Sequence, residues 1–207
     1  MFRFLFVFCC VFLFSNVSLG MSCIDFKQRP NISISTPDAI KKIVQPIEPM
    51  DLYHGNVVAT FVQDFDIEAD VNKVDDGFCV GIKNIDAIIG YNNFLVSIDI
   101  RNLPNSCSYN AVLNHEEQHI NVYLSVVDEF YDELKKSVFV AADSVMPVFV
   151  KSEQDVEYVL EEFNNELSNH PEIILLQKKI DSMQQIKNNQ IDEFDDRKEL
   201  KNCPDFF

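Results

Sequence analysis

The chain lacks several sequence features that would indicate particular kinds of site or partner. None of its six cysteines forms a Cys-x-x-Cys pair, so a zinc site built from cysteines is not expected. Basic residues are scarce, with 17 Lys and Arg against 33 Asp and Glu. The resulting net charge of −16 argues against nucleic acid or an anionic membrane as a partner, and it specifies no oligomeric state. There is no internal repeat and no low-complexity linker, and 207 residues suffice for one globular domain.

The apolar run near the N-terminus is too short to span a membrane. Residues 4–14 are apolar, whereas a membrane-spanning helix needs about 20 such residues. Arg3 precedes the run, and Ser18 and Gly20 place small residues at the −3 and −1 positions of a cleavage site, which is typical of a signal peptide. We predict a signal peptide at residues 1–20, cleaved after Gly20, and a mature protein exported to the periplasm or extracellular space without stable membrane insertion. The alternative is that the segment is kept as an anchor.

Export changes the interpretation of the cysteines. The signal peptide carries two of them, and four remain: Cys23, Cys79, Cys107 and Cys203. An even count outside the cytoplasm favours two disulfides, with three possible connectivities. The alternative is that some of the four are free thiols.

The first half of the mature chain has the pattern of strands. Residues 94–101 alternate between apolar and polar side chains, as in a half-buried strand. Residues 55–71 and 77–90 are predicted to be partner strands, separated by a polar turn at 72–76. We therefore expect an antiparallel sheet within a strand-rich part at about 51–104.

The second half has the pattern of helices. Residues 109–139 contain no Gly or Pro, and their apolar residues recur at steps of three and four. A second amphipathic helix is predicted from Ser152 to about His170, and a third from Ile173 to about Phe194. The predicted fold is α+β: one domain at 21–207, in which three long helices at about 106–202 follow the sheet.

The first of these helices carries the motif His-Glu-x-x-His at residues 115–119. On a helix this spacing places both imidazoles on one face, close enough to share one metal ion. Random placement at this composition would produce the motif roughly 0.005 times in the chain. His115 and His119 are therefore predicted as ligands of one Zn²⁺, with Glu116 as the general base that takes a proton from a metal-activated water.

A catalytic zinc needs a third protein ligand, and the motif helix cannot supply it. Acidic residues further along that helix lie 13 Å or more away at about 1.5 Å of rise per residue. The ligand must come from another segment. Three candidates remain: Asp195 at the margin of the third helix, and Glu166 and His170 near the end of the second.

The stretch 93–129 resembles a family of bacterial predicted secreted zinc-dependent proteases. The matching features are a strand, the Leu103-Pro104 loop, and a long helix with His-Glu-Glu-x-His. That family ends with a Tyr-Asp pair, a Thr and a His-Gly; Phe194-Asp195 corresponds to the pair, and neither the Thr nor the His-Gly occurs here. The resemblance implies a zinc-dependent hydrolase and favours Asp195 as the third ligand.

A disulfide hypothesis agrees with this assignment. Cys107 precedes His115 by eight residues, and Cys203 follows Asp195 by eight. A bridge between Cys107 and Cys203 would hold the C-terminal segment against the start of the motif helix.

The substrate of such an enzyme would be a peptide or protein. In zincins a strand beside the motif helix commonly binds extended substrate by edge pairing. Residues 94–101 resemble such a strand, although their alternation equally fits an ordinary half-buried one.

The sequence therefore predicts a secreted zinc metallopeptidase that hydrolyses peptide bonds. Two alternatives remain. One is a metal-dependent amidase acting on cell-wall peptides. The other is an exported non-catalytic protein in which the metal site is structural or absent.

Overall fold

The computed structural model describes residues 23–50, 54–195 and 198–205, without the side chains at positions 194, 195, 198 and 199. The predicted signal peptide and its cleavage site after Gly20 lie outside the described residues. Within the described part, no helix combines the length and the apolarity needed to cross a bilayer.

Strands come first along the chain, and most of the helices follow them. Five strands are formed: β1 (Asn31–Ser35), β2 (Ile40–Val44), β3 (Gly55–Val74), β4 (Gly77–Ile98) and β5 (Val148–Val150). The helices are α1 (Cys107–Glu129), α2 (Tyr131–Ser144), α3 (Val156–Ser168), α4 (Pro171–Asp195) and the short α5 (Lys198–Lys201). Two 3₁₀ turns lie at Cys23–Phe26 and Glu153–Asp155. The sheet therefore begins before residue 51, and β5 lies inside the part predicted to be helical.

The long strand β4 is the centre of the sheet. β3 pairs with it antiparallel along its whole length, from Gly55 opposite Ile98 to Val74 opposite Gly77. The predicted hairpin is confirmed, and its turn is at residues 75–76. β1, β2 and β5 share the other edge of β4.

The sheet is mixed, so the predicted purely antiparallel sheet is wrong. β1 and β2 run parallel to β4, opposite residues 84–88 and 93–97 respectively. They follow one another along a single edge of β4 with only residues 36–39 between them, so both must run in the same direction. β3, the next strand along the chain, lies on the opposite edge of β4.

Two predicted strands, 77–90 and 94–101, fall on the single strand β4, which ends at Ile98, three residues before the predicted end. The pairing register skips Lys83 and Asn92, which shows a β-bulge at each position. Each bulge inverts the alternation of inward and outward side chains. Inward positions follow one parity at Ile85–Tyr91 and the other at Phe94–Ile98, which explains why the sequence pattern breaks between them.

The first predicted helix is two helices, so the described part of the chain has four long helices where three were predicted. Phe130 separates them, with φ −95° and ψ 6°, and its N–H donates to the carbonyls of Val126 and Val127. Because neither Gly nor Pro is present and the apolar stripe continues through Phe130, the sequence carries no sign of the break.

One hydrophobic core joins the sheet to the helices. It contains the inward residues of β4 together with buried residues of α1, α2, α3 and α4. α1 and α3 pack on the sheet, and α4 packs against α1 and α2. The outward side chains of β4, such as Asp86 and Leu95, are exposed. The described part is therefore a sheet covered by helices on one face.

Two disulfides connect distant parts of the chain. Cys23 is bonded to Cys79, which ties the first 3₁₀ turn to β4. Cys107 is bonded to Cys203, which ties the first residue of α1 to the C-terminal segment, as predicted. The four cysteines are therefore paired, in one of the three possible connectivities.

Candidate metal centre

The start of α1 is held firmly. Ser106 caps the helix: its Oγ accepts a hydrogen bond from the backbone N–H of Tyr109, at 3.1 Å. Ser108 donates to Oδ2 of Asp205 from both its backbone N–H and its hydroxyl, at 3.2 and 2.7 Å. Together with the Cys107–Cys203 disulfide, these bonds fix the helix two turns before the motif.

The two motif histidines face each other across one turn of α1. Their Nε2 atoms lie 3.1 Å apart, and their rings are nearly perpendicular. The side chains of His115 and His119 are 24% and 13% exposed, so both are reachable from solvent without being loose. The predicted convergence of His115 and His119 is therefore present in the fold.

A carboxylate from α4 completes the group. Oδ1 of Asp192 lies 3.3 Å from Nε2 of His115 and 3.2 Å from Nε2 of His119. Three donor atoms from two helices thus form a nearly equilateral triangle. Among the described residues, His115, His119 and Asp192 form a group whose ligand atoms lie close enough together to hold one metal ion.

The three predicted candidates for the third ligand have different outcomes. Asp195 is the last residue of α4, one turn beyond Asp192, and its side chain lies outside the described part, so that prediction stays a prediction. Glu166 is exposed on α3, and His170 accepts a hydrogen bond at Nδ1 from the backbone N–H of Glu172. Neither belongs to the described group around the two histidines.

Glu116 is buried beside this group. Its side chain is 4% exposed, and it packs against Gly55 at the start of β3. Burial raises the pKa of Glu116 to about 7; the nearby His115 lowers it, and the carboxylate of Asp192 raises it. A carboxyl group with a pKa near neutrality can both accept and return a proton.

An open cleft of about 320 Å³ lies over these residues. β3 contributes its first three residues, α1 contributes four and α4 contributes two; they are Gly55, Asn56, Val57, His115, Glu116, His119, Tyr123, Asn188 and Asp192. The phenol of Tyr123 lines the cleft beside the rings of Tyr91 and Phe94, and burial raises its pKa, so it stays a neutral donor. The cleft is large enough for part of an extended chain.

The strand predicted to bind substrate cannot do so through its edges. Residues 93–97 of β4 pair with β3 on one side and with β2 on the other. Phe94, Val96 and Ile98 are buried, so this is an ordinary core strand. β3 is closer to the cleft, and among the described strands it pairs only with β4.

Two polar residues of α4 were missed from the sequence. Asp192 reaches the metal group, and one turn earlier Oδ1 of Asn188 lies 2.9 Å from Nδ1 of His119. Both are close to the stripe that includes Ile180 and Ile191 and faces the other helices. The available signal was Asn188-x-x-x-Asp192, a polar i, i+4 pair at the inward margin of a helix.

Comparison with known proteins assigns no family. No protein-family model, no curated protein and no solved structure matches the chain. Function is therefore inferred from the geometry around α1 and α4.

Proposed function

We propose that this protein is a zinc-dependent metallopeptidase. His115, His119 and Asp192 would hold the ion, and Glu116 would serve as the general base. Zinc bound there would act as a Lewis acid, polarising the scissile carbonyl and lowering the pKa of a water molecule towards about 7.

The observation that carries the proposal is the triangle of donor atoms. Its sides measure 3.1, 3.2 and 3.3 Å. Ligands placed tetrahedrally at about 2.0–2.1 Å from zinc are separated by about 3.3–3.4 Å. Two imidazole nitrogens and one carboxylate oxygen are also the ligand set of many catalytic zinc sites. Distances and chemistry therefore both suit this ion.

Glu116 is suited to move the proton. Its carboxyl group borders the cleft but is not one of the three donors. It would accept a proton from the attacking water and pass it to the leaving amine as the C–N bond breaks. Burial favours the protonated form of this carboxyl group and so supports its taking up the proton of the water.

The open cleft favours catalysis over a structural role. A structural zinc site normally has four protein ligands, whereas a catalytic one has three and an open position. Among the described side chains, three donors converge here, next to a buried carboxyl group and under an open cleft. A non-catalytic protein has no need of that carboxyl group, which is costly to bury.

The substrate would be an extended peptide lying along β3. Residues Gly55, Asn56 and Val57 border the cleft at the N-terminal end of this strand. A peptide backbone could pair with the edge of β3 that faces away from β4, which is a common way of binding extended chains. Such pairing would carry the scissile bond past Glu116.

The site of action would be outside the cytoplasm. Two disulfides are present, and bonds of this kind persist in oxidising compartments. Together with the predicted signal peptide, they support an exported protein.

The proposal is tested by metal analysis and hydrolysis assays on wild-type protein and on the variant Glu116→Gln. We expect about one zinc per chain in both, because Glu116 is not a ligand. Hydrolysis of casein or a peptide library should occur only with the wild type. Glu117→Gln is the matched control, since its side chain is 43% exposed and bonded to Lys41 on β2.

Two results would contradict the proposal. Wild-type protein without stoichiometric zinc would remove the metal site. Zinc retained in a wild type that cleaves no peptide in the library would show a structural site.

A further inference from the structure

The ring of His119 is held at both of its nitrogens. Nε2 faces His115 and Asp192, while Nδ1 lies 2.9 Å from Oδ1 of Asn188. With Oδ1 of the Asn188 amide facing the ring, the oxygen can only accept a hydrogen bond, so Nδ1 of His119 carries the proton. Protonation at Nδ1 leaves Nε2 to offer its lone pair to a metal ion, whose place beside Nε2 is bordered by the carboxylate of Asp192.

Asn188 is placed to do this by the packing of α4. It lies one turn before Asp192, so a single face of α4 presents both residues to α1. The neighbouring Lys187 forms an ion pair with Glu129 at the end of α1. Since α1 and α4 also pack through the core, the amide has a defined position relative to His119.

We propose that Asn188 is the positioning residue of the metal centre. It fixes the tautomer of His119 and the direction of its ring, and it does not touch the metal itself. This inference rests on the proposed zinc site. Partners of this kind typically change metal affinity by about 10- to 100-fold, because an unsupported imidazole must adopt the right tautomer and orientation on binding.

α1 and α4 present their polar side chains at the same spacing. α1 supplies two imidazoles at positions i and i+4, and α4 supplies an amide and a carboxylate at the same spacing. The amide supports one imidazole, and the carboxylate joins both. An amide is the appropriate group for Asn188, because it accepts a hydrogen bond without adding another negative charge beside Asp192.

The test uses four forms of the full chain: wild type, Asn188→Leu, Asn188→Asp and Asn189→Leu. Leucine matches asparagine in size but cannot accept a hydrogen bond, whereas aspartate can. Asn189 is exposed on the same helix, which makes Asn189→Leu the matched control. Two quantities are measured: the ¹⁵N chemical shifts of the His119 ring in metal-free protein, and the Kd for zinc by chelator competition.

We expect Nδ1 of His119 to carry a proton in the metal-free wild type. Asn188→Leu should lose this preference and raise the Kd for zinc by about 10- to 100-fold. Asn188→Asp should restore the proton on Nδ1 and bind zinc at least as tightly as the wild type, since its added negative charge also attracts the cation. Asn189→Leu should leave both quantities unchanged. Rescue by aspartate separates hydrogen bonding from a general effect on folding.

The inference is overturned if folded Asn188→Leu keeps the wild-type tautomer and the wild-type Kd. This outcome leaves the proposed zinc site intact. Failure of the zinc site itself has a different signature, since the wild type would then bind no zinc while its His119 tautomer could still be read.

Discussion

Gly55 and Glu116 are in such close contact that position 55 has no room for a side chain. A Cβ atom added to Gly55 would lie 2.5 Å from Cγ1 of Val112 and closer still to Oε1 of Glu116. The carboxyl group of Glu116 therefore packs directly against the backbone of β3 at Gly55. The absence of a side chain at Gly55 leaves the space that this group occupies.

Replacing Gly55 by alanine should displace the Glu116 carboxyl group and leave the metal ligands in place. Misplacing a catalytic group by about 1 Å can cost roughly 100-fold in rate. We expect kcat to fall by about this factor, while the folded protein keeps one zinc per chain. The measurements are peptide hydrolysis and zinc content, made on protein whose folding is checked by circular dichroism.

Gly81→Ala is the matched control for this variant. A Cβ at Gly81 would meet Pro147 at 3.6 Å, which is ordinary van der Waals contact. This variant should keep its kcat. A wild-type kcat in zinc-loaded Gly55→Ala would show that contact with the β3 backbone does not position Glu116.

The identity of the third ligand can be decided by comparing two aspartates on α4. Asp192 lies 3.2–3.3 Å from both imidazoles, and Asp195 is one turn further along. Asp192→Ala should raise the Kd for zinc by more than about 100-fold, which exceeds the usual loss of a supporting hydrogen bond. Asp195→Ala should bind zinc like the wild type.

Zinc competition on both variants provides the measurement. The opposite result, with weak zinc binding in Asp195→Ala and normal zinc binding in Asp192→Ala, would identify Asp195 as the third ligand, as the resemblance implied. Loss in both variants would mean that the two carboxylates act together.

Local patterns were enough to find the histidines but not their partner. The spacing of His115 and His119 is set within a single turn of α1, so the sequence alone predicts their convergence. Contact with α4 joins residues far apart in the chain: His119 and Asn188 are 69 positions apart. No periodicity encodes which turn of α4 lies against the motif, so the sequence did not single out Asp192.

The sheet shows the same limit. The hairpin of β3 and β4 could be predicted because its turn is local and its strands alternate. The direction of β1 and β2 could not, because it depends on which edge of β4 the chain passes along. The bulges at Lys83 and Asn92 also hid the continuity of β4, since each reverses the inward parity.

Removing the Cys107–Cys203 disulfide should weaken both the fold and the metal site. The bond joins two residues that are 96 positions apart, and it connects the start of α1 to the segment after α4. Cys107→Ser with Cys203→Ser should lower the free energy of unfolding by about 2–4 kcal/mol. It should also raise the Kd for zinc, because α1 and α4 are then held together less firmly.

The other disulfide provides the comparison. Cys23→Ser with Cys79→Ser should also destabilise the fold, but it lies at the first 3₁₀ turn and should leave the Kd for zinc unchanged. Urea denaturation and zinc competition measure the two effects. Equal zinc affinity in both double variants would mean that the Cys107–Cys203 bond stabilises the fold without affecting the metal site.

Asp99 should make the protein sensitive to acid. Its carboxylate is buried just after β4, where it accepts hydrogen bonds from the guanidinium and backbone N–H of Arg101 and from the backbone N–H of Met50. These donors, the Arg101 side chain above all, hold the pKa of Asp99 well below its ordinary value of 3.8. A lowered folded-state pKa stabilises the fold above the ordinary pKa, and this contribution is lost as the pH falls below it.

The prediction is a free energy of unfolding that decreases steeply between about pH 4 and pH 2 in the wild type. Asp99→Asn should be less stable at pH 7, by about 1–3 kcal/mol for weakened hydrogen bonds, and should show a shallower decrease in acid. Asp64→Asn, at an exposed position on β3, is the control and should follow the wild-type curve. Urea denaturation at each pH measures the slopes, and equal acid slopes in wild type and Asp99→Asn would assign the acid sensitivity to other carboxyl groups.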